Sequence, residues 1–189
     1  GTGSGYFSIL LAKRGHRLTG VDLTPAMLEE AITAAAEEGL EIEFLQMDAQ
    51  DLTFADNTFD AIVTRNLTWT LPDTAKAYAS WHRVLKPGGI LLNFDAAYGS
   101  EAFQKNEHNI PNSIKLIDNV HKGIAKELLL ECNQIMRELE NSKRLRPAWD
   151  MEIIKKIGFI DCICDEEAGD RILRDNNYKT PLFLIIAVK

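Results

Sequence analysis

The sequence predicts an α/β fold: a doubly wound, mostly parallel sheet with helices on both faces. Three observations predict it. Strand-like and helix-like segments alternate from the start of the chain to about Asp95, with short connections between them. A glycine cluster, Gly1-Thr2-Gly3-Ser4-Gly5, stands directly before the first helical segment. The next two strand-like runs each end on an acid, Asp22 and Asp48.

The elements follow in order. Tyr6 to Ala12 reads as a short helix burying Phe7, Leu10 and Leu11, stopped near Gly15. Arg17 to Asp22 reads as a strand. Thr24-Pro25 starts a helix, with a hydroxyl at the N-cap and proline at the first helical position. Leu28, Ala31, Ile32 and Ala35 share one face of it, and Gly39 closes it. Glu41 to Asp48 and Phe59 to Thr64 are the next strands. Asp73 caps a helix carrying Tyr78, Trp81 and Leu85, which Pro87-Gly88-Gly89 ends. Ile90 to Asp95 is a further strand. The rhythm then breaks from about Gly99 to Arg146, where Ile117, Val120, Ile124, Leu128, Cys132, Ile135 and Leu139 form a long apolar stripe. After Pro147 a helix carries Ile153 and Ile157 and ends at Gly158. Two strands finish the sequence, Phe159 to Cys164 and Leu182 to Val188.

Composition narrows the function. The 189 residues predict one domain with an elaboration. A net charge of −7, with acids and bases mixed, argues against a broad phosphate-tracking surface. The densest basic run, Lys143-Arg144-Leu145-Arg146, is short. Three cysteines without Cys-x-x-Cys spacing read as reduced thiols of a cytoplasmic protein. No metal site is expected, and no stretch is long and apolar enough to span a bilayer. The four histidines, His16, His82, His108 and His121, are scattered and read as surface residues rather than bases.

The glycines and acids carry the chemistry. A glycine loop at a strand-to-helix turn presents backbone N–H groups and a helix N-terminus to a ligand. The spacing here is Gly-x-Gly-x-Gly, with Tyr6 next and no phosphate-loop lysine. Strand C-termini gather along one edge of an open parallel sheet. The loop, Asp22 and Asp48 therefore converge on one crevice, where Asp22 would accept the hydroxyls of a ribose. Asp95 would either tune a nucleophile or cap its strand.

Gly1 to Gly5, Val21-Asp22-Leu23-Thr24-Pro25-Ala26-Met27-Leu28, Met47-Asp48-Ala49, Leu52 to Asp60 and Arg83-Val84-Leu85-Lys86-Pro87-Gly88-Gly89 together resemble class I S-adenosylmethionine-dependent methyltransferases. The resemblance is nearly continuous to about Asp95, looser in the final helix and strands, and absent from the insertion. The small-molecule group that includes quinone-biosynthesis enzymes is the nearest in character. That resemblance implies a Rossmann-like fold, with an antiparallel last strand slotted between its neighbours. It also implies S-adenosyl-L-methionine as the cofactor and a small molecule as the methyl acceptor. By the same resemblance, Gly1, Thr2 and Gly3 would face the methionine part, and Asp22 would hold the ribose. Leu23 and Met27 would pack near the adenine, Asp48 would take its amino group, and the Ala49 N–H would meet a ring nitrogen. Arg65 and Asn66 would border the methionine part and the sulfonium. Trp69 and Tyr98 fall where acceptor pockets form in the family. No catalytic base is assigned, because an activated nucleophile aligned with the sulfonium methyl needs none.

Residues 1–98 are thus expected to be the cofactor-binding part of the domain, 99–146 a helical insertion serving as lid or dimer surface, and 147–189 the closing helix and strands. Three alternatives stand beside this reading: a nucleic-acid methyltransferase, an NAD-type dehydrogenase, and a non-catalytic cofactor-binding subunit. Against the first, Asn66-Leu67-Thr68-Trp69 lacks the two prolines of the base-flipping Asn/Asp-Pro-Pro-aromatic motif, so nucleic acid is not the expected partner. A homodimer through the apolar stripe would suit the third. The strand that enters the glycine loop in this family is missing from the sequence. Its two neighbours would each keep an unpaired edge, so the chain is expected to be a fragment of a longer protein.

Overall fold

The computed structural model describes residues 1–97, 127–128, 131, 134–135, 138–168 and 182–189. Helix α1 spans Tyr6–Ala12 and follows the glycine loop. Strand β1 (Thr19–Asp22), helix α2 (Pro25–Glu37) and strand β2 (Glu43–Gln46) come next. Strand β3 (Phe59–Arg65), a 3-10 turn at Thr68–Thr70, helix α3 (Thr74–Val84) and strand β4 (Leu85–Ala96) complete the first part. A second 3-10 turn (Glu140–Lys143), helix α4 (Ala148–Ile157), strand β5 (Ile160–Asp165) and strand β6 (Leu182–Val188) follow.

Among the described residues the ladders fall into two sheets. β1 and β2 pair in parallel, and the other four strands run in the order β3-β4-β6-β5. β3 and β4 are parallel, while β6 lies antiparallel between β4 and β5. The α/β, Rossmann-like fold and its antiparallel last strand are therefore as the sequence implies. Among the described residues β1 and β3 share no ladder. On that side the backbone nitrogens of Gly1 and Thr2 donate to the Val21 carbonyl, at 2.8 and 2.7 Å.

The main core sits on the four-stranded sheet. Tyr78, Trp81 and Val84 of α3, Ile154 of α4, Leu91 of β4 and Phe183, Ile185 and Ala187 of β6 are all buried together. The alternation of β6 explains its share: every second residue faces this layer. Aromatic edges meet faces here, with the Tyr78 and Trp81 rings 5.4 Å apart.

Local readings differ from the structure in five places. α1 buries Ser8 rather than Phe7, Leu10 and Leu11, which are only half-buried, because two turns of helix at the rim have one narrow covered face. Ile32 is 52 % exposed, although Leu28, Ala31 and Ala35 are buried as expected. The small alanines let α2 sit close to its neighbours, and Ile32 projects beyond that contact. Thr24 is the N-cap of α2, yet its hydroxyl makes no capping bond. Leu85 does not belong to α3 but opens β4, opposite Phe59, and Pro87-Gly88-Gly89 falls in the irregular stretch before the ladder resumes at Ile90. In α4 the fully buried apolar position is Ile154, with Ile153 and Ile157 packed partly against the core.

Other readings agree. Asp73 caps α3 by accepting from the Lys76 N–H at 2.9 Å, and Gly39 and Gly158 stand in left-handed conformations just after α2 and α4. Of the apolar stripe, Ile117, Val120, Ile124 and Cys132 lie outside the described residues, as do His108 and His121. Leu128 and Ile135 are each more than half exposed.

Candidate cofactor crevice

The crevice is built from strand ends. β1 ends at Asp22, whose carboxylate fixes two backbone segments at once. Its Oδ2 accepts from the Gly3 N–H at 2.8 Å, and its Oδ1 from the Thr24 N–H at 3.0 Å. The glycine loop is thereby tied to the start of α2 through one acid. Gly5 turns the chain into α1 with φ +83°, and a Cβ there would lie 3.0 Å from the Ala31 Cβ. Only glycine meets both demands. Thr2 Oγ1 lies 2.9 Å from Ser8 Oγ and braces the loop from within.

Asp22 is buried, at 9 % exposure, with no cation bonded to it among the described residues. A carboxylate offers about four acceptor directions, and two are used here, so the arrangement leaves room for hydroxyl donors. Beside it Leu23 is 63 % exposed, an apolar surface at the mouth of the crevice. Met27 is half-buried, with its Cε 3.5 Å from where a Gly3 Cβ would stand. Asp48 lies just past β2. Its Oδ1 accepts from the Gln50 N–H at 2.8 Å, and the Gln50 amide reaches both oxygens at 3.2 Å. Gln50 in turn receives the Asp73 N–H at 2.7 Å. Ala49 is buried, and its carbonyl accepts from Trp81 Nε1 at 2.8 Å. The core tryptophan therefore fixes the Asp48-Ala49 turn.

β3 delivers the opposite wall. Its ladder ends with Arg65 opposite Phe94, and the Asn66 N–H still reaches the Phe94 carbonyl at 2.8 Å. Asn66 has φ +51°, a conformation asparagine tolerates better than most residues. Leu67 abuts the glycine loop: a Cβ on Gly1 would lie 2.6 Å from Leu67 Cδ1. The Arg65 guanidinium sits 5.9 Å from the Tyr6 ring centroid, and Phe7 stacks on Phe94 at 5.6 Å. The structure thus brings Gly1, Thr2, Gly3, Asp22, Leu23 and Met27 around one loop, with Arg65 and Asn66 next to it. Trp69 is half-buried in the turn beyond. Tyr98 lies outside the described residues.

Arg83 and Asp56, from two of the resembling motifs, stand away from this crevice. Arg83 donates to Asp56 Oδ1 at 2.7 Å, to the Phe54 carbonyl at 2.8 Å and to the Leu52 carbonyl. Those residues fasten the turn from 52 to 56 onto α3 and are structural.

A polar cluster that the sequence reading missed lies behind the wall. Arg146 donates from Nε to Asp150 Oδ2 at 2.8 Å and from Nη2 to Asp150 Oδ1 at 2.9 Å. Nη2 also reaches Thr68 Oγ1 at 2.6 Å and Asp95 Oδ2 at 3.5 Å. Asp95 accepts from the Thr68 hydroxyl, the Trp69 N–H and the Ala96 N–H. Tyr78 donates to Asp150 at 2.7 Å, and Asn93 Nδ2 lies 3.0 Å from the Tyr78 oxygen. Burial pushes the Asp95 carboxyl up, against the pull of Arg146 and its hydrogen bonds. Burial would by itself lower the Arg146 guanidinium, but Asp150 and Asp95 outweigh it and raise it. Asp95 thus caps the end of β4 through the Ala96 N–H, as one of its two expected roles has it, and is also an internal anchor for Thr68 and Trp69. The basic run noted in the sequence also dissolves: Arg146 is buried and Arg144 stacks 3.8 Å over Trp149. The only local signal was Arg146 followed four residues later by Asp150.

A methyltransferase-domain family model matches residues 1–93. The ubiquinone/menaquinone biosynthesis C-methyltransferase UbiE of Coxiella burnetii is 30 % identical over 184 residues, covering 89 % of this chain and 70 % of that protein. The chain belongs to the class I S-adenosylmethionine-dependent methyltransferases. A demethylmenaquinone methyltransferase of Thermus thermophilus is 39 % identical over 93 residues, which are 48 % of this chain and 42 % of that enzyme. Several curated relatives are much longer than the stretch they share with this chain: the match spans 32 % of a Mycobacterium bovis protein. Solved methyltransferases share the fold. A sarcosine dimethylglycine methyltransferase candidate from Galdieria sulphuraria superposes with a TM-score of 0.68 at 14 % identity, over 100 % of this chain and 76 % of that one. Phosphoethanolamine N-methyltransferase 2 of Haemonchus contortus, in complex with S-adenosyl-L-methionine, gives 0.66 at 21 % identity, over 100 % of this methyltransferase chain and 47 % of that one.

Proposed function

We propose that this chain carries S-adenosylmethionine-dependent methyl transfer to a small-molecule acceptor, of quinol type. The observation that carries the reading is Asp22: a buried carboxylate at the end of β1, held by the Gly3 and Thr24 N–H groups, with acceptor capacity to spare. That spare acceptor capacity fits a ribose diol, whose hydroxyls would donate, and the exposed Leu23 beside it fits an adenine face. S-adenosylmethionine supplies, when bound, a methyl group on a cationic sulfur.

The residues divide the remaining work. Gly1, Thr2 and Gly3 line the methionine part, Asp22 binds the ribose, and Leu23 and Met27 cover the adenine. Asp48 and the Ala49 N–H select the adenine edge. Arg65 and Asn66 border the sulfonium, with Trp69 on the acceptor side; Tyr98, outside the described residues, is assigned there by the family resemblance alone. Their contribution is alignment and exclusion of water rather than proton transfer. The quinol-type acceptor is supported by the names of the Coxiella and Thermus relatives. Among the described residues no helix is long and apolar enough to cross a membrane and no cluster suits a metal ion. A cytoplasmic location and a homodimer belong to the same reading, tested by fractionation and by sedimentation at varied concentration.

Calorimetric titration of the chain with S-adenosylhomocysteine tests the core of it. Binding that Asp22→Ala abolishes or weakens strongly is expected; an intact chain that takes up none would overturn it. Transfer of labelled methyl to a short-chain demethylated naphthoquinol then tests the acceptor class.

A further inference from the structure

The β3 ladder ends at Arg65, with one more backbone bond at Asn66, and past it the backbone of residues 67–71 is held by groups from a segment some seventy residues away. Asn141 Nδ2 lies 2.8 Å from the Thr68 carbonyl, 2.8 Å from the Leu71 carbonyl and 2.6 Å from Thr74 Oγ1. Arg144 holds Asn141 in turn through its Oδ1, at 2.6 Å. From the other side, Arg146 Nη2 meets the Thr68 hydroxyl at 2.6 Å, and Asp95 takes both that hydroxyl and the Trp69 N–H. Thr68 is fully buried at the crossing point of all these bonds. Its neighbour Leu67 touches the glycine loop, and Asn66 is the last residue of the crevice wall.

This is a poor way to fill a core for stability alone. Two carboxylates and one guanidinium are taken out of water together, and among the described residues Arg146 Nη1 is buried without a hydrogen-bond partner. Apolar side chains of the same volume would do as well or better. In some proteins buried charged sets are retained because they specify one arrangement of the chain, and here the set is bonded to a single loop.

We propose that Asn141 and Arg146 are positioning residues of the methyl-transfer site: they fasten the loop 67–71 and so hold Trp69 against the acceptor side of the crevice. The assignment rests on the methyltransferase reading above. It makes the segment closing the insertion a part of the acceptor site, although it is far in sequence from the cofactor residues.

The test uses the full chain labelled with 5-fluorotryptophan. Its three tryptophans are Trp69, Trp81 and Trp149, and Trp69→Phe assigns the signal of interest. In Arg146→Met the Trp69 fluorine signal should move or broaden while that of core Trp81 stays. Affinity for S-adenosylhomocysteine should hold within about threefold, while kcat/KM toward a short-chain demethylated naphthoquinol drops by about 10- to 100-fold. Arg146→Lys, which restores the charge and part of the bonding, should recover part of both effects. If Arg146→Met does not fold, Asn141→Ala carries the same expectations with the ion cluster intact. An unmoved Trp69 signal in the folded variants overturns the proposal. So does joint loss of the Trp69 and Trp81 signals and of cofactor affinity in every variant, which is the mark of a purely structural role. Should the parent chain bind no S-adenosylhomocysteine, the functional reading fails while the Trp69 signal still decides whether the loop is fastened.

Discussion

Asp22 and Asp95 each stand at the C-terminal end of a strand, the first on β1 in the two-stranded sheet and the second on β4 in the four-stranded sheet. Both are buried, at 9 % and 1 % exposure. Their partners differ in kind. Asp22 is held by two backbone N–H groups, Gly3 and Thr24, which tie the glycine loop to the start of α2. Asp95 is enclosed by Thr68, Trp69, Ala96 and the Arg146 guanidinium, inside a cluster completed by Asp150 and Tyr78. One acid keeps acceptor capacity beyond its two backbone partners, which the proposed cofactor site would use; the other is consumed in holding the loop after β3. A strand-end aspartate is thus a site or a strut according to what closes over it.

The comparison breaks most visibly if the strut is cut. Asp150→Ala leaves the Arg146 guanidinium buried without its main partner and should destabilise the fold by about 3–5 kcal/mol, read by urea unfolding. No comparable loss of stability is expected from Asp22→Ala, because backbone N–H groups near a crevice can find water. Its effect should fall on the ligand instead: S-adenosylhomocysteine binding weaker by about 10- to 100-fold, the loss of one or two hydrogen bonds to a charged acceptor. A stability loss larger than that of Asp150→Ala would reverse the assignment of the two acids.

Gly5→Ala should cost about 1–3 kcal/mol, since its φ of +83° and the 3.0 Å approach to Ala31 oppose any side chain. Thermal melts would read this, with cofactor affinity falling because the same turn carries Gly3. The smallest effect is a pH dependence. The Asp95 carboxyl is raised by burial, so the folded state holds its proton more tightly than the unfolded chain does. That contribution is fully present below the ordinary carboxylate value and is lost as pH rises through the raised one. Relative to Asp95→Asn, the parent chain should therefore lose stability between those two points. A difference that instead grows with pH would mean that Arg146 outweighs burial at this site.

Much of the crevice was legible before the fold. The glycine spacing, the acids at strand ends and the Thr24-Pro25 helix start are local features, and the structure brings Gly3, Asp22 and Met27 together as they imply. Legibility failed where burial depends on a neighbour. Ile32 has the periodicity of a buried residue and is exposed, because the partner surface ends at Ala31 and Ala35. Leu85 has the spacing of α3 and belongs to β4, because the Phe59 ladder captures it. Thr24 has the chemistry of a cap, while its own N–H is taken by Asp22.

By itself the sequence determined the order of strands and helices, the glycine loop and the acids at the strand ends, since backbone propensity and hydrophobic period act over a few residues. Only the tertiary structure decided which acid keeps backbone partners alone and which is sealed among side chains. That choice depends on Arg146 and Asn141 reaching Thr68 across more than seventy positions, and contacts of that range leave no period in a sequence.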